Sequence, residues 1–165
     1  MKIALRVILL LIVLAVGFWL WTVFFPSPEK IVRKQLASLA SDISFSAGEN
    51  GIMKIAHANS VTDFFATNVV INIDVPGHEQ QTLTDRGQVT QAALVSRQQF
   101  TSLDVKFPDV DVKVAPDKNS ATADVTAEVT ISGDHDKIVQ EFQFTFQKID
   151  GQWLISEVKT ISPVS

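Results

Sequence analysis

ATADVTAEVTI, residues 121–131, alternates small or apolar side chains with polar ones without a break. This period of two is typical of a β-strand with one buried face and one solvated face. A later run repeats the pattern with larger groups, since Phe142, Phe144 and Phe146 alternate with polar residues. The sequence therefore predicts that residues 100–161 form consecutive antiparallel strands, and the remaining elements are interpreted around that sheet.

A proline and a hairpin signal refine this sheet. Within 103–114, apolar residues fall at odd positions before Pro108 and at even positions after it. Because proline cannot donate to a strand ladder, we expect a bulge there and a strongly curved sheet. Asp150-Gly151 between two apolar runs is typical of a tight hairpin. The last run, 152–161, is apolar on both faces, which predicts a central strand.

Three helices are predicted before or between the strands. Apolar residues recur at helical spacing over 29–45, 52–65 and 85–99, whereas 69–75 has the pattern of a strand. The order is therefore helix, helix, strand, helix and then four strands. It predicts an α+β fold in which three helices pack on one side of a curved antiparallel sheet.

An apolar segment precedes this domain. Residues 7–25 are 19 residues without a charge, with Trp19 and Trp21 near the far end. As a helix they extend about 28 Å, close to the roughly 30 Å hydrocarbon core of a bilayer, and indoles favour its interface. A cleaved signal peptide is the alternative, but its apolar core is shorter and ends at a small-x-small site. We therefore predict a transmembrane anchor and linker over 1–27 and a folded domain over 28–165.

Charges near the start predict the orientation. Lys2 and Arg6 precede the apolar segment, which favours a cytoplasmic N-terminus. We therefore expect a single-pass protein of the inner (cytoplasmic) membrane whose domain is periplasmic or otherwise extracytoplasmic.

Composition excludes several functions. The chain has no cysteine, which removes disulfides, thiolate catalysis and cysteine metal sites. His57, His78 and His135 lack the spacing of a helical metal site, so we predict neither a metal nor a cofactor. The net charge is −4 and two of the 14 basic residues precede the anchor. An acidic domain of this kind does not fit nucleic-acid binding.

Three segments resemble the nuclear-transport-factor-2-like superfamily, which includes SnoaL-like and ketosteroid-isomerase-like domains. They are FFATNVVI at 64–71, Asp85-Arg86-Gly87 before the third helix, and QKIDGQWLI at 147–155. The resemblance spans 29–161. It implies a cone of three helices on a bent sheet, with an apolar pocket at the open end. Such domains include isomerases, cyclases and dehydratases as well as binding and oligomerisation modules, so function depends on the site.

Asp74 is the candidate catalytic residue. In ketosteroid-isomerase-like domains a carboxylate on the strand after the second helix is the general base, and Asp74 falls near that position. An apolar pocket raises the pKa of such a base toward the working pH. The chemistry also requires donors for the enolate oxygen, and the chain contains no tyrosine. The alternative is a solvated aspartate at the end of a strand.

Five residues are candidates for lining a ligand pocket. Most of them are aromatic, although aromatic residues at strand spacing more often pack in the hydrophobic core than line a ligand pocket. The candidates are His57, Phe64, Phe142, Phe144 and Trp153.

Three functional hypotheses follow. The first is a membrane-anchored, non-catalytic binding or assembly module that presents its sheet face or the mouth of its cone to a partner protein, or pairs with a second copy through the sheet. The second is a small pocket enzyme, such as an isomerase, dehydratase or hydrolase, that uses Asp74 as a base on an apolar carbonyl compound. The third is a carrier of an apolar small molecule.

Overall fold

The computed structural model describes residues 11–17, 26–74, 80–132 and 137–161. Residues 11–17 are helical. The helices of the domain are α1 (Pro28–Ile43), α2 (Gly51–Thr62) and α3 (Arg86–Gln99). The strands are β1 (Phe65–Ile73), β2 (Gln81–Leu83), β3 (Leu103–Val114), β4 (Ser120–Ile131), β5 (Lys137–Ile149) and β6 (Gln152–Ile161). The predicted α+β class with helices on a curved sheet is confirmed.

The six strands form one sheet in the order β2-β1-β6-β5-β4-β3. The last strand, β6, lies inside the sheet as predicted. Two features differ from the prediction of a purely antiparallel sheet. β1 pairs with β6 in parallel, and β1 also pairs with the short strand β2, which the sequence analysis did not predict. Parallel pairing is accessible here because a long connection separates the two strands in sequence.

The predicted bulge lies beside Pro108. The β3–β4 register shifts between Lys106 and Asp109, and a second shift in the β5–β6 pairing falls between Thr145 and Phe146. An extra residue bends and twists its strand. These irregularities accompany the curvature that leaves a concave inner face for the helices.

Helix α1 covers much of this concave face. Ser27 caps it by accepting a hydrogen bond from the Lys30 backbone, and Pro28 occupies its first turn. Val32, Leu36 and Leu39 recur at helical spacing and are buried against the sheet. The core that they enter contains residues from all three helices and every long strand.

The two ends of the domain differ. One end, which we call the turn end, contains the turns at 115–119 and 150–151. Helix α1 begins at this end, because Ser27 and Pro28 border a pocket together with Ala115. α1 ends at the opposite end, where Phe45 exchanges backbone hydrogen bonds of 2.8 and 2.9 Å with Leu103.

Helix α3 begins at a side-chain cap. The Asp85 side chain accepts a hydrogen bond of 2.9 Å from the Gln88 backbone N–H. We expect Asp85→Ala to lower the free energy of unfolding by about 1 kcal/mol, because it removes the acceptor of an otherwise unpaired N–H. Urea unfolding measures this, with Asp109→Ala at an exposed position of β3 as a comparison. An unchanged midpoint for Asp85→Ala would contradict the prediction.

The predicted anchor lies mostly outside the described residues, as do Trp19 and Trp21. Among the residues that the structure describes, no helix combines the length and apolar character needed to cross a bilayer.

Candidate functional site

An apolar cleft lies between α1 and the inner face of the sheet. It has a volume of about 270 Å³ and lies at the end of the domain opposite the turn end, which we call the cleft end. The described residues that line it are all apolar: Leu39, Ile43, Phe65, Ile71, Ile73, Leu103, Val105, Phe107, Ala127, Val129, Phe142, Phe144 and Val158. Strand alternation produces this wall because inward-facing positions are occupied by carbon side chains in β1, β3, β4 and β5.

A second cavity adjoins the cleft under α3. It also measures about 270 Å³, and it shares Ile43, Phe65, Ile71, Ile73 and Leu103 with the cleft. Its remaining wall includes Ser96 and Arg97, the only two polar residues that border it in the described structure. The Ser96 hydroxyl donates to the Ala92 carbonyl at 2.9 Å, so it is already engaged by its own helix.

Arg97 is the one charged residue at this wall among those described, and its side chain is only 2 % exposed. Nη1 donates to a Glu49 carboxylate oxygen at 3.2 Å, and Nη2 donates to the Asp42 carbonyl at 2.5 Å. The guanidinium also lies 4.8 Å from the centre of the Phe45 ring, within the range of a cation–π contact. Because both terminal nitrogens are occupied, Arg97 joins α3 to the last turn of α1 and to the segment between α1 and α2.

His57 lies on the other side of this ion pair. Its Nδ1 is 2.8 Å from Glu49 Oε1, so Glu49 contacts both His57 and Arg97. The His57 side chain is 44 % exposed and is not part of the wall of the cleft. Its role as a pocket residue therefore receives no support from its position.

The four aromatic candidates divide between two sites. Phe142 and Phe144 line the cleft, with ring centres 6.5 Å apart in an edge-on arrangement. Phe64 and Trp153 instead line a separate depression of about 430 Å³ at the turn end. Gln35 borders that depression and donates to the Trp153 carbonyl at 2.7 Å, while its buried Oε1 has no partner among the described residues.

Asp74 lies at the end of β1 and is exposed. Alternation places it on the face opposite Ile71 and Ile73, which line the cleft. Its backbone N–H donates to the Thr160 hydroxyl at 2.9 Å. The structure therefore does not bring this carboxylate to the cleft, and its catalytic role remains a prediction.

Within residues 11–17, 26–74, 80–132 and 137–161, no group of three His, Asp or Glu side chains is arranged to hold an ion. His78 and His135 lie outside them.

Sequence reasoning missed the buried pair of Arg97 and Glu49. The available signal was spacing, because Arg97 follows Val89 and Ala93 at intervals of four and therefore shares their face of α3. A charged residue on an inward helix face needs a partner. Glu49, in the segment before α2, gave no comparable indication.

The outer face of the sheet is polar. Lys113 Nζ lies 3.2 Å from Asp111 and 3.4 Å from Asp124, which are paired across β3 and β4. Hydrogen bonds and the charges of these two carboxylates raise the pKa of Lys113. Gln143 Nε2 donates to Asp124 at 2.7 Å. A face of this composition differs from the apolar surface of an obligate interface.

Comparison with solved structures identifies an architecture shared with many small α+β domains. A protein of unknown function from Pseudomonas putida KT2440, described as nuclear-transport-factor-2-like, has a TM-score of 0.61 at 11% identity over 83% of this chain and 87% of that one. A candidate aromatic ring hydroxylase from Novosphingobium aromaticivorans has a TM-score of 0.63 at 8% identity, with 83% and 90% covered. A candidate scytalone dehydratase from the same organism has a TM-score of 0.55 at 13% identity, with 81% and 83% covered.

These likenesses define the class of structure: a helix-backed, curved sheet around an inner cleft. The particular fold is the nuclear-transport-factor-2-like fold, as the sequence resemblance implies. No protein-family model matches the chain, and the search of curated proteins finds no match. At identities this low the similarity establishes the fold and not the activity.

Proposed function

We propose that this protein is a non-catalytic binding module that takes an uncharged, apolar small molecule into the cleft. The supporting observation is that carbon side chains form the entire described wall of the cleft. Concave sites lined in this way bind through burial of apolar surface, at about 25 cal/mol per Å². The adjoining cavity adds no free polar group, because Ser96 and Arg97 are already hydrogen-bonded.

Catalysis by proton transfer would require a titratable side chain in the lining of the cleft. A general base must come within about 3 Å of the proton that it removes, directly or through one water. The described wall of the cleft contains no carboxylate, imidazole, amine or hydroxyl group. Binding without chemistry is therefore the function that this arrangement supports best.

A membrane tether completes the proposal. It is supported by the uncharged run of residues 7–25 and the tryptophans at its far end. Residues 11–17 are helical with their apolar side chains exposed, from 48% at Val16 to 62% at Val13. Exposed apolar surface of this kind is favourable when lipid covers it. The domain would then reside at the extracytoplasmic face of the inner membrane.

The experiment is photolabelling of the full-length chain in detergent with an uncharged phenyl-diazirine. We expect saturable labelling of the tryptic peptides 119–137 and 138–148, which contain Val129, Phe142 and Phe144, and loss of that labelling with excess naphthalene. Peptide 7–30 should be labelled without saturation, because detergent surrounds a membrane segment. Labelling confined to peptide 7–30 would contradict the proposal.

A partner protein or a second copy at the outer sheet face is the remaining part of the proposal. The charges of Lys113, Asp111 and Asp124 favour a polar, salt-sensitive contact there over an obligate apolar one. Cross-linking of the full-length protein in membranes at low and high salt distinguishes the two kinds of contact.

An enzyme is the second candidate, because two structural neighbours are described as a candidate hydroxylase and a candidate dehydratase. The hypothesis assigns Asp74 as the base. We expect Asp74→Asn to leave photolabelling unchanged, since Asp74 is exposed and outside the cleft wall.

The same variant tests the activity. We expect neither the wild type nor Asp74→Asn to accelerate α-proton exchange of an apolar ketone, followed by NMR in deuterated water. Acceleration by the wild type that Asp74→Asn abolishes, with the fold intact, would support the enzyme instead.

A further inference from the structure

The chain enters the folded domain at the end farthest from the cleft. Pro28, the first residue of α1, borders a pocket with Val114 and Ala115 at the turn end. α1 then spans 16 residues, or about 24 Å, and its last residue, Ile43, lines the cleft. The helix therefore runs from the entry point of the chain to the binding site.

The link between the predicted span and the domain is short. The predicted span ends at residue 25, and α1 begins at Pro28. Three residue steps cover at most about 11 Å even when fully extended. Pro26 and Pro28 further limit the conformations of this link, because the proline ring fixes φ. The turn end thus has little freedom to move away from the point where the span ends.

The exposed residues of the turn end suit a lipid–water interface. Lys118 and Lys148 are exposed there, together with Asp117 and Asp150. Polar groups of both signs remain hydrated among headgroups, whereas the apolar cleft lies beside the last turn of α1, at the opposite end of the domain.

We infer that the tether holds the turn end against the membrane and presents the cleft on the side that faces away from the bilayer. The inference rests on the proposed tether. Its consequence is that the cleft exchanges its apolar ligand with the aqueous side of the compartment, and not with the bilayer to which the chain is attached.

Two single-cysteine variants test this orientation, since the natural chain has no cysteine. Gln152→Cys places a label at the turn end, and Thr101→Cys places one beside β3 at the cleft end; both positions are exposed. β3 spans 12 residues, and a strand of that length measures about 40 Å before bending, so the two labels are well separated. Each full-length variant is labelled with an environment-sensitive fluorophore and reconstituted into vesicles that contain a headgroup-nitroxide lipid.

We expect loss of most of the fluorescence at Gln152→Cys and no loss at Thr101→Cys, relative to vesicles without nitroxide. Quenching at Thr101→Cys equal to or greater than that at Gln152→Cys would overturn the orientation while leaving the tether intact. Failure of the chain to float with vesicles would overturn the tether itself, and this inference with it. Circular dichroism of both variants confirms that the domain is folded.

Discussion

Val129→Asp is expected to reduce saturable photolabelling of the cleft by about tenfold or more. Val129 lines the cleft, and a bound apolar molecule would remove the new carboxylate from water. Burying an unpaired charge costs several kcal/mol, and each 1.4 kcal/mol lowers affinity tenfold. The measurement is the label in peptide 119–137 as a function of diazirine concentration.

Thr130→Asp is the matched control. It adds the same charge to the next residue of β4, which faces the outer side of the sheet opposite Asp104 and Lys137. We expect wild-type labelling for this variant. If Val129→Asp fails to fold, Val129→Trp supplies a second test, because an indole fills the cleft without adding charge. Full labelling of a folded Val129→Asp or Val129→Trp would show that the ligand binds elsewhere.

Arg97→Met is expected to lower the free energy of unfolding by about 3–5 kcal/mol, the range for removing one member of a buried ion pair. The substitution leaves Glu49, which is 12 % exposed, without its main cation and removes the donor to the Asp42 carbonyl. Methionine preserves much of the side-chain volume, so the loss reports mainly on charge and hydrogen bonding. Urea unfolding followed by circular dichroism measures it.

Two variants identify the source of that loss. Lys137→Met breaks the exposed pair of Lys137 and Glu128, which are 2.9 Å apart, and should cost no more than about 1 kcal/mol. Glu49→Gln combined with Arg97→Met should recover part of the stability, because it removes the uncompensated carboxylate. Equal effects of Arg97→Met and Lys137→Met would mean that Arg97 is not a structural ion-pair partner.

The order and type of most elements follow from local patterns. Alternation over 121–131, the parity switch at Pro108 and the hairpin signal at Asp150-Gly151 all predict features that the structure contains. The parallel pairing of β1 with β6 does not follow, because no local pattern records which distant strand becomes a neighbour. Strand β2 was missed because three residues give too short a period to recognise.

The composition of the site depends on register. Phe142 faces Thr160 near the C-terminal end of β6, whereas Lys148 faces Trp153 near its N-terminal end. Aromatic residues of the same sheet therefore line different cavities. The position of Asp74, in contrast, was accessible from the sequence. The apolar residues Ile71 and Ile73 indicate that odd-numbered positions of β1 face the core. Asp74 is at an even-numbered position and is therefore expected on the opposite face.

The outermost strand β3 is poorly suited to recruiting another chain. Sheet margins with free backbone groups seed intermolecular aggregation. Here the Phe45 backbone occupies one part of that margin, and the Arg33 guanidinium donates to the Val110 carbonyl farther along. Pro108 removes a donor, and the bulge beside it interrupts the straight template that amyloid growth needs. If the proposed tether concentrates the domain along a membrane, the β3 margin would therefore contribute little to aggregation.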